Sequence, residues 1–438
     1  MKYERGVKRE RSEMENANAL RATEYAARMR AAMSDGSYAL PEASLRLPFD
    51  DVLFERSRAL ATKLAGHKLA YILVIGIGGS NLGAKAIYEA SSGTLDPHTA
   101  FAPKMLFADT CAPELLADIV EILLDGVSHK DELVIVIASK SGTTTETIMN
   151  ASILIPALEV KFGSLSDRVV CITDENSPLW RTGLDHGFHT LPVPRMVGGR
   201  YSVFSPAGVF PLLCAGVDMK AMLRGAQEVV HECVEQGAES KAYLVAEDVF
   251  AWHTAGAHIF DLFLFHPELE SVGKWYRQLF AESLGKDTKI DGNRSEHHII
   301  PTVSLGSTDL HSVEQMHLAD AKFVARMLVR AHSPHWEHQF LASDAVFAPI
   351  IPALGRRAPC EVMDAIYQGV KETYQTQGVL FGEVALPDLD PESLGAFLQL
   401  QMCVVMHLGQ LFGVNAFDQP NVEEYKKVVR RILGGGQK

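Results

Sequence analysis

An α/β fold with mostly parallel sheets is what this sequence predicts, and three observations carry it. From about residue 70 onward, short apolar runs of strand length alternate with helical stretches. Such alternation implies βαβ units, with helices covering both faces of a sheet. At 438 residues the chain exceeds what one hydrophobic core usually serves, so two such units or one elaborated unit are expected. With 47% hydrophobic and 22% charged residues, the composition is that of a globular protein able to bury such sheets.

Taken in order, residues 8–33 read as a polar-faced helix, and PEASLRLPFD as a bend before a second one. YILVIG (71–76), KMLFAD (104–109), LVIVIA (133–138) and RVVCIT (168–173) are strands. Helices separate them at 82–92, 113–125 and 145–162. The second half repeats the theme less regularly, with strands in DLFLFH (261–266), KFVARMLV (322–329) and VLFGEVALP (379–387). Its helical stretches fall at 219–236, 267–285, 361–377 and 391–413, and NVEEYKKVVRRIL forms a basic amphipathic helix near the end.

Several function classes are disfavoured. A net charge of −13 speaks against general affinity for nucleic acid. No apolar run approaches the ~20 residues of a membrane span. The N-terminus is charged throughout, without the apolar segment of a secretory signal, which points to the cytoplasm. Six scattered cysteines without a CxxC pair suggest neither a disulfide framework nor a zinc ribbon.

Ligands of open α/β sheets bind beyond the carboxyl ends of the strands, where helices begin. Two loops occupy that position. In YILVIGIGGSNLG, Gly76, Gly78 and Gly79 permit a tight turn ahead of Ser80, before a helix N-terminus. Position 81 is Asn where the dinucleotide fingerprint needs Gly, so a nicotinamide cofactor is disfavoured. The second loop, SKSGTTTET, sets five hydroxyls within 139–145 and Lys140 at the end of an apolar strand. It is not a Walker A loop, yet Ser139, Ser141, Thr143 and Thr144 suit one phosphate ester, aided by the helix N-terminus and Lys140. The bland reading is a capping box, with Thr143 as N-cap and Glu146 three residues on.

Chemistry-bearing residues recur in four motifs further on. Arg200, after two glycines in VGGRYSVFSPAG, suits stabilisation of oxyanion charge, although pairing with a carboxylate is as common. In QLFAESLGKD, Gln278 and Glu282 share a helix face, and an apolar neighbourhood suits Glu282 to general-base work. The bland alternative there is an exposed Glu282–Lys286 ion pair. STDLHS places His311 in the first turn of a helix, and FDQPNVEEYKK places Gln419 before a helix start and Lys426 inside it. A Glu423–Lys427 pair is the bland reading of that last motif. HSPHWEHQF (332–340) spaces three histidines by three, but without HExxH or a carboxylate array it reads as a surface loop, and no metal is expected.

Six motifs in this order, spanning residues 71–427, resemble the glucose-6-phosphate isomerase family: VIGIGGSNLG, IASKSGTTTET, VGGRYSVFSPAG, QLFAESLGKD, STDLHS and FDQPNVEEYKK. The length and QPNVEEYK are closest to its shorter bacterial forms. The resemblance implies two sugar-isomerase (SIS-type) α/β/α sandwich domains, here 61–200 and 201–438, with 1–60 a helical segment packed on the second. It implies a phosphate site at Gly79, Ser80, Ser139, Lys140, Ser141, Thr143 and Thr144. It implies Glu282 as base supported by Gln278, Arg200 facing an enediolate, and His311 with Lys426 opening the sugar ring, Gln419 lying close by. It further implies a homodimer in which His311 reaches the partner's site, a sugar phosphate as the small-molecule substrate, and no cofactor. Isomerisation of mannose 6-phosphate and non-catalytic phosphosugar sensing are the rival readings. The segment 287–306 is longer and more polar than this family leads one to expect.

Overall fold

The computed structural model describes residues 1–6, 11–93, 103–332, 341–342, 346–347 and 349–434. Its first sheet is built from β2 (Tyr71–Ile75), β3 (Lys104–Ala108), β4 (Leu133–Ala138), β5 (Val169–Thr173) and β6 (His189–Pro192). All five run parallel, in the order β3-β2-β4-β5-β6. The central strands read as unbroken apolar runs because both faces are covered. Along β2, Ile72 and Val74 face the main core, while Leu73 and Ile75 face a second cluster beneath the outer helices. Those helices are α4 (Pro113–Gly126) and α5 (Thr145–Phe162). On the other face lie α3 (Leu82–Ser92) and α7 (Pro206–Cys214), with α2 (Asp51–Leu64) packed on α7, and α6 (Pro178–Asp185) links β5 to β6.

The second sheet has the order β1-β10-β9-β7-β8. Here β7 (Ile259–Leu264), β8 (Ile300–Leu305), β9 (Val324–Ala331) and β10 (Leu380–Leu386) are parallel, and β1 (Lys2–Arg5) pairs antiparallel with β10. Neither β1 nor β8 is expected from sequence. Four charged and aromatic residues, KYER, carry no strand pattern; Arg5 fixes β1 by pairing with buried Glu247 and Asp248 on α9 (Lys241–Thr254). Pro301 reads against a strand, but β8 lies at the sheet edge, where proline is tolerated. Part of the polar 287–306 segment is therefore sheet. Ahead of β8 it doubles back through a Thr288–Arg294 bridge, and Ile290 N–H donates to Gly413 O at 2.8 Å.

Between the sheets, α8 (Met219–Gln236), α10 (Glu270–Leu284) and α13 (Pro391–Phe412) share one continuous core cluster with residues of both. By length and composition α13 could cross a membrane, which corrects the expectation that no such run exists. Its apolar window is 89% buried inside the protein, so that apolarity forms core. At the N-terminus, α1 (Glu13–Ser34) begins with a reciprocal Ser12–Glu15 capping box and packs on α8. The remaining helices are α11 (Glu314–Ala319), α12 (Pro359–Gln377) and α14 (Glu423–Leu433). Of HSPHWEHQF, only His332 lies within the described residues.

Candidate active site

Backbone contact between two glycine turns places the arginine. A Cβ on Gly79 would lie 2.1 Å from the carbonyl carbon of Gly199 and 2.3 Å from Arg200 N, so the turns after β2 and before α7 touch main chain to main chain. No larger residue permits that approach. Ser202 Oγ adds a hydrogen bond to Gly79 O at 3.2 Å, and Trp275 Nε1 donates to Arg200 O at 3.2 Å.

From this anchor the Arg200 side chain, 1% exposed, spends every guanidinium nitrogen. Nε donates to Ser283 Oγ at 2.7 Å, and Nη1 to Glu282 Oε2 at 3.1 Å and Gln419 Oε1 at 2.8 Å. Nη2 donates to the carbonyls of Ala416 and Asp418 at 2.8 and 3.0 Å. A fork satisfied this fully has one orientation and stays charged. Glu282 is held on its other oxygen by Gln278 Nε2 at 2.9 Å, the two residues standing one helical turn apart on α10.

The ion pair between Glu282 and Lys286 does not form. Buried Lys286 instead donates to the backbone carbonyl of Glu282 at 2.7 Å and to Asp418 O, and pairs with Asp418 Oδ1 at 3.1 Å. It thereby ties the end of α10 to the loop that bears Gln419. Burial pushes the Lys286 ammonium below its ordinary range, aided by the field of Arg200 and opposed by Asp418. Nothing local in the sequence points to Ser283 or the Ala416 and Asp418 carbonyls as partners, or to Asp418 as the partner of Lys286.

Glu282 looks into a cleft of about 360 Å³ that also takes in Gly78, Gln278, Ser141, Thr143, Thr144, Glu146 and one face of α14 with Lys426. The predicted capping box is absent. Helix α5 starts at Thr145 with Thr144 at its N-cap, and no side chain caps it. The hydroxyls bond one another instead: Ser139 to Thr144 at 2.8 Å, and Thr143 Oγ1 to Ser141 Oγ at 3.2 Å. Gly142 turns the loop at φ +65°, and a Cβ there would strike Ser177 at 2.7 Å. The first-turn amides of α5 thus remain as donors at the cleft, with the positive end of the helix dipole.

Ser80, Ser139 and Lys140 line a small adjoining cavity of about 10 Å³ together with Gly199 and Ser202. The Lys140 ammonium is lowered from its ordinary range by burial and then by the field of Arg200. Lys426 is half-exposed and paired with Glu423 at 2.7 Å; Lys427 pairs with Glu424 at 3.4 Å, which corrects the expected Glu423–Lys427 pair. His311 ends an exposed turn after β8 and does not line the cleft of its own chain. A larger surface groove, about 730 Å³ between Gly36 and Met196, contains none of the candidate residues.

A carboxylate fixed on a buried guanidinium, open to a hydroxyl-lined cleft at the carboxyl edge of a parallel sheet, defines an α/β protein equipped to move protons on a small polar molecule. The chain belongs to the phosphoglucose isomerase family, whose model matches residues 7–437. It is 32% identical to the glucose-6-phosphate isomerase of Exiguobacterium sibiricum over 91% of this chain and 88% of that one. It is 31% identical to that of Staphylococcus saprophyticus, over 89% and 86%. A hypothetical protein of Thermus thermophilus superposes with a TM-score of 0.83 at 25% identity, over 96% of each chain. A glucose-6-phosphate isomerase structure from Chlamydia trachomatis shares the fold, with a TM-score of 0.80 at 19% identity over 99% of this chain and 88% of that one.

Proposed function

We propose that this enzyme interconverts glucose 6-phosphate and fructose 6-phosphate by ring opening and proton transfer through a cis-enediolate. The observation that carries the reading is Glu282, held by Arg200 and Gln278 at the mouth of the hydroxyl-lined cleft. Family membership and relatives bearing that activity in their names support it.

In this mechanism the phosphate is the inert handle. Ser141, Thr143 and Thr144, with Ser80, Ser139, Lys140 and the backbone at Gly79, grip it and leave C1 and C2 beside Glu282. Binding energy gained there is spent on orientation, so loss of a gripping hydroxyl lowers turnover as well as affinity. His311 and Lys426 shift a proton between the ring oxygen and the adjacent hydroxyl. Glu282 then carries one proton between C2 and C1. Arg200 stabilises the oxygen charge that develops; a preorganised donor of this kind is worth about 2.7–4 kcal/mol. Gln419 keeps the guanidinium aimed.

His311 stands outside the cleft of its own chain, so the reading includes a homodimer in which the partner's copy completes each site. Glu282→Gln keeps the shape and the Gln278 contact while removing the base. The expected result is isomerisation lower by about three orders of magnitude or more, with binding of a non-reactive phosphorylated sugar acid retained. Near-normal turnover in that variant removes Glu282 from the mechanism, and exclusive formation of mannose 6-phosphate by the native enzyme rejects the substrate assignment.

A further inference from the structure

The wall of the cleft opposite the hydroxyl loop is one face of α14, and its charge is unbalanced. Val422, Lys426, Val429 and Arg430 line the cleft at helical spacing, so Arg430 stands one turn beyond Lys426 on the same face. Three carboxylates line the same space: Glu146, Glu282 and Glu423. Arg200 matches Glu282 at 3.1 Å, and Lys426 matches Glu423 at 2.7 Å. Arg430 has no carboxylate within ion-pair distance among the described residues, and Glu146 likewise has no cation. A phosphate dianion entering beside Ser141 and Thr144 therefore meets the field of Glu146, while Lys426 is already paired. Lys140 lines the separate small cavity with Ser80 and Ser139. Among the described cations that line the cleft, Arg430 is the one with no carboxylate within ion-pair distance, although its field reaches Glu423 two turns back, and its planar fork suits phosphate oxygens.

We propose that Arg430 is a phosphate-binding residue of this enzyme, supplying from α14 the full positive charge that the hydroxyl loop lacks on its solvent side. The proposal rests on the reading of the cleft as the sugar-phosphate site. Arg430 is exposed at the end of a long side chain, so its contact is screened by solvent and modest in size. Its loss raises KM and the Ki of phosphate, and lowers kcat to the smaller extent that this peripheral phosphate contact helps orient C1 and C2.

The test measures KM, kcat and the Ki of inorganic phosphate as a competitive inhibitor, at low and at high salt, in four variants. Arg430→Gln is expected to raise KM and Ki about fivefold at low ionic strength, the size of a solvent-exposed charge contact, and less at high salt. Arg430→Lys recovers most of that affinity. Arg431→Gln, which removes the same charge from a position that does not line the cleft, leaves Ki unchanged. Ser141→Ala weakens phosphate independently. If Ser141→Ala weakens phosphate and Arg430→Gln does not, the role of Arg430 is overturned and the loop reading stands. If Arg431→Gln weakens phosphate as much as Arg430→Gln, only the general field of the helix acts and the proposal is lost. If neither Ser141→Ala nor Arg430→Gln affects phosphate, the loop reading falls, and this inference with it.

Discussion

Arg200 Nη1 lies 3.1 Å from Glu282 Oε2, across 82 residues of sequence, and the two ends of that contact see different surroundings. The arginine side chain is 1% exposed and the glutamate 30%. The buried guanidinium holds one carboxylate oxygen and Gln278 the other, so the group is fixed in one orientation while its partly exposed side meets what enters the cleft. The pair is thus fixed and reachable at once.

Replacing Arg200 by Lys tests that arrangement. A lysine has three donors on one atom, whereas Arg200 makes five hydrogen bonds from three nitrogens. Buried carbonyls of Ala416 or Asp418 lose partners, and a buried acceptor left unsatisfied costs about 1–3 kcal/mol. We expect Arg200→Lys to unfold at lower urea and to lose at least about a hundredfold in kcat. A kcat within threefold of the native value would show that the fork geometry is immaterial.

Gly79→Ala addresses how that arginine is positioned. The added methyl lands inside contact distance of main-chain atoms of Gly199 and Arg200, which cannot rotate away. Overpacking of this kind costs about 1–3 kcal/mol. Stability and kcat should fall together, whereas Gly369→Ala, on exposed α12 with nothing within 4 Å, should be neutral or stabilising. Equal behaviour of the two variants, read by thermal melting and steady-state rates, would contradict the backbone contact.

Acid sensitivity has an identifiable source in His407. It lies buried on α13 between the rings of Tyr25 and Tyr243, and burial lowers its pKa to about 4 from an ordinary 6.5. Between those values the unfolded chain takes up a proton that the folded imidazole refuses. The stabilisation is therefore full above pH 6.5 and is lost as pH falls toward 4, by about 3 kcal/mol. His253, His297 and His317 are also lowered by burial and act in the same direction. Unfolding free energies at pH 7 and pH 4.5 should differ less in His407→Asn than in the native protein; an undiminished difference would assign the acid sensitivity elsewhere.

The proposed homodimer with shared sites makes a further prediction. Glu282→Gln and His311→Ala protomers are each expected to be inactive alone. Mixed after verified subunit exchange, they should recover about a quarter of native activity, because half the dimers are mixed and each has one intact site. No recovery would place His311 within its own chain's chemistry.

The sequence by itself determined the local frame. Unbroken apolar runs specified the central strands, with LVIVIA expected at 133–138 and found there as β4. The hydroxyl loop and the glycine turns were legible because strand ends, tight turns and helix starts are written in adjacent residues. So were Gln278 and Glu282 as neighbours, since one helical turn relates them. Tertiary structure alone decided the rest: that KYER completes a sheet with β10, that Lys286 turns from Glu282's carboxylate to Asp418, that Gly79 touches Gly199, and that Arg430 and not Arg431 faces the cleft. Each of these joins segments distant in sequence, and periodicity records only which face of an element is buried. Which partner that face meets is fixed when helices shared between the two sheets pack into one core, and it is that packing which brings Arg200 beneath Glu282.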